Sequence, residues 1–223
     1  MESYKVKVKE IEKITHNVLR IVTEKPSGFT FSPGQATEVA INKSSWQSEK
    51  RPFTFTSLPK DKNLEFTIKT YPSHKGVTNE LLKLKVNDEL IIGDAWGTIS
   101  YKGEGVFIAG GAGVTPFISI FRQLESKSEI GANRLIFANK KKEDIIHEVE
   151  FRKMLKDHFF NILSDENIEH YPSGYISEEF LKDLGVHHAK HIYICGPKPM
   201  MQAVELQLNS LGVDGNVIVK EDF

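Results

Sequence analysis

The hydrophobic pattern of this chain changes its period once, near Tyr101 to Gly105, and that change divides the fold into two parts of different architecture. From Tyr4 to about Trp96, apolar residues mostly recur at every second position: Tyr4, Val6 and Val8, then Phe53 and Phe55, then Leu64, Phe66 and Ile68. Such alternation belongs to half-buried strands. Turn formers separate the runs at Pro26-Ser27-Gly28, Ser32-Pro33-Gly34, Leu58-Pro59-Lys60-Asp61 and Lys85-Val86-Asn87-Asp88. Roughly six short strands with that spacing predict an antiparallel barrel or sandwich.

After Gly103, short continuous apolar runs each lead into a helical pattern: VFIAG into TPFISIFRQLES, RLIFAN into DIIHEVEFRKML, and HIYICG into PMMQAVELQLNSLG. Repeated strand-helix units build a parallel sheet covered on both faces. A chain of 223 residues can bury two separate cores, expected in domains 1–101 and 102–223.

Composition narrows the chemistry. A formal net charge of -1 gives no global argument for nucleic acid or an anionic membrane. The single cysteine, Cys195, excludes an intrachain disulfide and any iron-sulfur cluster or thiolate zinc site built by this chain alone. Redox chemistry here would need an organic cofactor. The eight histidines lack HExxH or similar ligand spacing, so no metal is expected, and His187, His188 and His191 read as surface residues. The N-terminus lacks the apolar core of a signal peptide and no stretch has the length of a membrane span, which makes a cytoplasmic location the expectation.

Four clusters can carry chemistry. Gly110-Gly111-Ala112-Gly113-Val114-Thr115-Pro116 lies directly between an apolar strand and a helical pattern. Glycines there let the backbone approach a pyrophosphate, and Pro116 suits a first helical turn. The same run would also serve a tight turn that only packs. In Arg51-Pro52-Phe53-Thr54-Phe55-Thr56-Ser57, alternation puts Arg51, Phe53, Phe55 and Ser57 on one face and Thr54 and Thr56 on the other. Arginine can clamp a phosphate, an aromatic ring can pack on a flat heterocycle and a hydroxyl can bond a ring nitrogen, but on composition alone a plain barrel strand with a surface arginine is the preferred reading. Gly76-Val77-Thr78 precedes Asn79-Glu80-Leu81-Leu82, with Thr78 the expected N-cap. Cys195-Gly196-Pro197 ends an apolar strand ahead of a helix, where a cysteine is ordinarily inert packing.

The order RPFT, GVT, GDAWG, GGAGVTP, CGPKPM and a terminal aromatic resembles the ferredoxin-NADP reductase superfamily, in the branch of flavodoxin, ferredoxin and oxygenase reductases, over essentially the whole chain. The resemblance implies an antiparallel Greek-key β-barrel that binds FAD, followed by a parallel α/β domain that binds NADH or NADPH. It implies Arg51 on the FAD pyrophosphate, Pro52 beside it, Phe53 against the isoalloxazine and Thr54 on flavin N5. The family usually has tyrosine where this chain has Phe53, so a hydroxyl to the ribityl chain is lost while ring packing survives. Ile68 and Lys69 match the strand whose backbone lines the flavin, and Gly76, Val77 and Thr78 the pyrophosphate-binding helix start. Gly111, Gly113, Val114, Thr115 and Pro116 match the nicotinamide nucleotide loop, and Cys195, Gly196 and Pro197 the strand end beside the nicotinamide. Thr54, Cys195, Glu221 and Phe223 are the residues expected closest to the reaction, Phe223 as a movable lid.

The implied activity moves hydride from NAD(P)H to bound FAD and electrons onward to a ferredoxin, flavodoxin or similar carrier. A flavin reductase using free flavin, and a non-catalytic FAD-binding electron-transfer or regulatory subunit, stand as alternatives. Asp165, in Ser164-Asp165-Glu166, favours NADH because NADPH users commonly place arginine after that serine, while Lys140 to Lys142 argue the other way.

Overall fold

The computed structural model describes residues 3–71 and 73–220. The period-two half forms β1 (Tyr4–Thr15), β2 (Val18–Glu24), β3 (Ala36–Ile41), β4 (Arg51–Thr54), β5 (Asn63–Lys69) and β6 (Glu89–Ile92). They pair antiparallel in the order β4-β3-β6-β1-β2-β5. Just past β4 the two edges meet: Phe55 bridges Phe66, and the Thr56 N-H donates to the Glu65 carbonyl at 2.8 Å. The sheet therefore curls into a barrel, which removes the unpaired edges an open sheet would expose. Phe55 sits inside, its ring centroid 4.4 Å from that of Phe31 and 5.3 Å from that of Phe66. Val6, Val8, Leu64 and Ile68 complete that core, as their alternation predicted.

The second half forms β7 (Val106–Gly110), α2 (Thr115–Ser126), β8 (Arg134–Asn139), α3 (Glu148–Leu155), β9 (Phe159–Leu163), α4 (Glu178–Asp183), β10 (Ile192–Cys195), α5 (Lys198–Ser210) and β11 (Ile218–Val219), with α1 (Val77–Glu80) back in the barrel half. The strands pair parallel in the order β11-β10-β7-β8-β9. Neighbouring strand residues point to opposite, equally buried faces: Phe107 and Phe137 pack with Phe121 and Phe151 of α2 and α3, whereas Ile108 and Ile136 pack with Leu181 and Val204 of α4 and α5. Burial on both faces explains why these strands read as continuous apolar runs. Ile99, Tyr101 and Val18 also join the α2-α3 core, so the two halves share packed surface.

Several local expectations are corrected. The N-cap of α1 is Gly76, not Thr78, and no side chain caps the helix. Val77 is 1% exposed in the barrel core, and that anchor starts the turn one residue before Thr78. The helical pattern expected from Asp144 begins only at Glu148, because Ile145 and Ile146 are both buried and His147 adopts a left-handed backbone, φ 54°. At the C-terminal end Gly215–Val217 forms a 3-10 turn that leads into β11. His191 is half-buried against Gly103 and Gly105, while His188 is exposed. Among the described residues no helix is long and apolar enough to cross a membrane, and no cluster of His, Cys, Asp or Glu is arranged for a metal.

Candidate functional site

The C-terminal ends of β7 and β10 stand against β4 and β5 of the barrel, and a cleft of about 460 Å³ opens between the two halves. The barrel side contributes Ala36, Pro52, Phe53, Thr54, Thr67, Ile68, Lys69, Tyr71 and Thr78. The other side contributes Gly110 to Gly113, Thr115, Pro116, Cys195, Gly196 and Pro197. A parallel sheet presents its loops and helix starts at this end, so the placement follows from topology.

The glycine loop is shaped by close approach. Gly111 has φ +51°, and a Cβ on Gly113 would lie 2.3 Å from the Cys195 carbonyl oxygen and 2.6 Å from Gly196 Cα. The loop can therefore lie flat on the end of β10 only with glycine at 113. Gly111–Val114 forms a 3-10 turn that runs directly into α2, with Pro116 in the first turn. Thr115 Oγ1 stands 3.3 Å from Thr54 Oγ1, so the two halves touch across the cleft through the hydroxyl assigned to the flavin edge.

A second cavity of about 450 Å³ adjoins the first and shares Lys69, Gly110, Gly111 and Pro197 with it. Asn139, Lys140, Ser164, Tyr175, Met200 and Gln207 also line it. Asn139 is 7% exposed and neither side-chain amide atom has a partner within the protein.

Most of the sequence-derived set meets in one place: Pro52, Phe53, Thr54, Ile68, Lys69, Thr78, Gly111, Gly113, Thr115, Pro116, Cys195, Gly196 and Pro197 all line the cleft. Strict alternation in RPFT fails there, since the consecutive Pro52, Phe53 and Thr54 all reach it at the end of a short strand. Others stand outside the lining. Arg51 is exposed at the start of β4, donating to the Lys50 carbonyl at 2.6 Å and 3.5 Å from Glu49. Val77 and Val114 are buried in the two cores, and Gly76 would present a Cβ to open space. Asp165 accepts from Ser164 Oγ at 2.6 Å and lines neither cavity. Glu221 and Phe223 lie outside the described residues. Sequence reading missed Tyr71 and Tyr175, exposed aromatics in the lining, 44% and 82% accessible respectively. Tyr71 follows β5 by two residues and Tyr175 lies in the loop between β9 and α4, and neither stands in a motif that marks it in the sequence.

The walls fit a flat dinucleotide: Phe53, Pro52, Ile68 and Tyr71 supply apolar surface, while Thr54, Thr78, Thr115 and the Lys69 ammonium supply a few polar groups. A family model described as FAD-binding domain matches residues 3–123, more than half of the chain. The chain belongs to the ferredoxin-NADP reductase superfamily. A second model, the oxidoreductase NAD-binding domain, matches residues 107–206. The reductase component of propane 2-monooxygenase from Rhodococcus jostii is 26% identical over 246 residues, covering 100% of this chain and 64% of the relative. NADH-cytochrome b5 reductase 2-A from Vanderwaltozyma polyspora is 28% identical over 216 residues, covering 88% of this chain and 72% of the relative. The chain thus spans about two thirds of the length of these relatives. The FAD/NAD-binding domain of nitric oxide dioxygenase from Vibrio cholerae has the same fold, with TM-score 0.87, 20% identity and 98% coverage of both chains.

Proposed function

We propose that the protein is an NAD(P)H-dependent flavin oxidoreductase that holds FAD against β4 and β5, receives hydride from a dinucleotide on the second sheet, and passes electrons to a separate carrier of ferredoxin or flavodoxin type. The cofactors supply the hydride and electron chemistry. The chain supplies position. One observation carries the reading: the FAD-assigned strand residues Phe53 and Thr54 and the nucleotide-assigned residues Gly111, Gly113 and Cys195 line a single cleft. Phe53 offers a ring face, Thr54 a hydroxyl, and the loop from Gly111 backbone N-H groups, while Cys195, 8% exposed, closes the far wall. Relatives named as reductases of an oxygenase and of cytochrome b5 support electron delivery to a protein acceptor.

The test is the visible spectrum of the purified protein before and after anaerobic addition of NADH or NADPH. A flavin spectrum that bleaches with donor is expected. A colourless protein that oxidises NADH only when free flavin is supplied would make it a flavin reductase, and no flavin-dependent oxidation at all would defeat the proposal.

Two expected outcomes follow. Arg51→Ala should lower FAD occupancy at limiting flavin, through loss of a charge-assisted phosphate contact worth about 1.5 to 3 kcal/mol. Equilibrium flavin titration measures it, and full retention removes Arg51 from the site. NADH should be preferred to NADPH, because the Asp165 carboxylate sits beside Ser164, which lines the second cavity, and repels an added phosphate. Lys140 lines the same cavity and opposes that effect. The ratio of kcat/KM for the two donors decides, and Asp165→Asn should narrow it. A higher kcat/KM with NADPH in the unmodified protein overturns the assignment.

A further inference from the structure

Helix α2 carries the glycine loop on its N-terminus, so whatever fixes α2 on the barrel fixes that loop against β4. Most of α2 is buried among apolar neighbours, including Phe117, Ile118, Ile120 and Phe121. Thr115, Ser119 and Arg122 break that pattern at spacing i, i+4, i+7, which places them on one helical face. Each of the three meets the barrel. Thr115 Oγ1 is 3.3 Å from Thr54 Oγ1, and the Gly34 N-H donates to Ser119 Oγ at 3.1 Å in a buried contact.

Arg122 makes the largest set. Its Nη1 donates to the Thr56 carbonyl at 2.8 Å and to Glu65 Oε1 at 2.6 Å, both in the barrel. Its Nε and Nη2 donate to the Glu150 carboxylate of α3 at 2.6 and 2.9 Å. Glu65 in turn accepts from Thr56 Oγ1 at 2.8 Å and from Arg20 Nε at 2.7 Å. Both ends of the guanidinium are thus spoken for, one by each half of the molecule. Apolar packing alone is non-directional and tolerates sliding, whereas a forked guanidinium has one geometry in which all its acceptors are met. Thr56 follows Thr54 by two residues, so Arg122 grips the barrel strand immediately beyond the cleft.

We infer that the Thr115, Ser119 and Arg122 face of α2 is a positioning device that sets the nucleotide loop against the flavin-facing end of β4, with Arg122 its principal positioning residue. The inference rests on the reading of the cleft as the meeting place of FAD and nicotinamide. Arg122 touches neither cavity, so it acts only through placement.

Two readouts on the full chain test it. Hydrogen-deuterium exchange, which needs no activity, should show faster exchange across residues 110–116 and at Gly34 in Arg122→Gln, while β6, whose Leu90 and Ile92 pack only in the barrel core, exchanges as in the unmodified protein. Anaerobic rapid mixing with NADH should show flavin reduction per bound FAD slowed by about tenfold to a hundredfold, the effect expected of an ångström-scale misplacement of reacting groups. Arg122→Lys keeps the charge without the fork and should recover only part of the rate. Arg152→Gln, which breaks an exposed ion pair with Glu148 on α3, should leave both readouts unchanged. If Arg122→Gln does not fold, Ser119→Ala carries the same test through exchange at 110–116 and reduction per bound flavin. Unaltered exchange at 110–116, or an unaltered reduction rate per bound flavin, in whichever of these two variants folds overturns the inference. If the unmodified protein binds no flavin, the reading of the cleft fails, while the exchange arm still judges the clamp separately.

Discussion

Gly113→Ala is expected to abolish most nicotinamide-dependent flavin reduction while leaving FAD on the barrel. The new Cβ would lie 2.3 Å from the Cys195 carbonyl oxygen, 2.5 Å from its carbon and 2.6 Å from Gly196 Cα. All three are backbone atoms of the β10 end, so no side-chain rotation relieves the overlap, and the loop must lift. Overpacking of this kind costs about 1 to 3 kcal/mol. A displacement of about 1 Å at the reacting pair costs on the order of a hundredfold in rate. Flavin content should remain near stoichiometric, because Phe53 and Ile68 are held by the barrel core, to which no residue of the altered loop belongs. Rapid-mixing reduction rates and flavin stoichiometry on the same sample provide the check. An unaltered rate would show that the loop does not hold the donor.

Glu65→Leu should cause the largest loss of stability, about 3 to 5 kcal/mol, the range for removing one partner from a buried ion pair. It would take one carboxylate from both Arg122 and Arg20, which now sit 2.6 and 2.7 Å from it, leaving Arg122 with Glu150 and Arg20 with Glu10. Burial pushes the Glu65 carboxyl up, but the charge and hydrogen bonds of Arg122, with Thr56 and Arg20, outweigh it and hold the group below its ordinary 4.5. Glu150 is held low in the same way: burial raises it, and Arg122 more than compensates. A carboxyl with a depressed folded pKa contributes stability that is complete above its unfolded value and is lost as pH falls toward the folded one. The protein should therefore weaken as pH drops below about 4.5, and Glu65→Gln should show a shallower acid slope. Denaturant midpoints across that range measure both effects. Parallel acid slopes in the two proteins would mean that the Glu65 charge contributes nothing.

The division of the chain was legible because the two halves bury strands differently. Barrel strands have one face inward, so Val6, Val8, Leu64, Phe66 and Ile68 alternate with exposed or half-exposed neighbours in β1 or with polar ones in β5. Strands of the parallel sheet are covered on both sides, so VFIAG reads as one apolar run. The glycine loop was legible for the same local reason: strand, close approach and helix start follow one another within Val106 to Pro116. Where local pattern misled, a single tertiary contact had overridden it. Burial of Val77 moved the start of α1, and burial of both Ile145 and Ile146 delayed α3.

Two sheets of opposite pairing, the loop able to approach a phosphate, and the family to which the chain belongs could all be read from the order of residues. What lies between the two sheets depends on how they pack in three dimensions. Arg122 and Glu65 are 57 positions apart, and Asp144 approaches Lys69 at 3.7 Å and Asn17 at 3.5 Å from across the same interface. Tyr71 and Tyr175 enter the cavities from loops with no shared motif. Periodicity reports which face of an element is buried, because that face repeats with the backbone geometry. It carries no information about which distant charge or ring completes a site, since that pairing is fixed only when surfaces from distant parts of the chain close on each other.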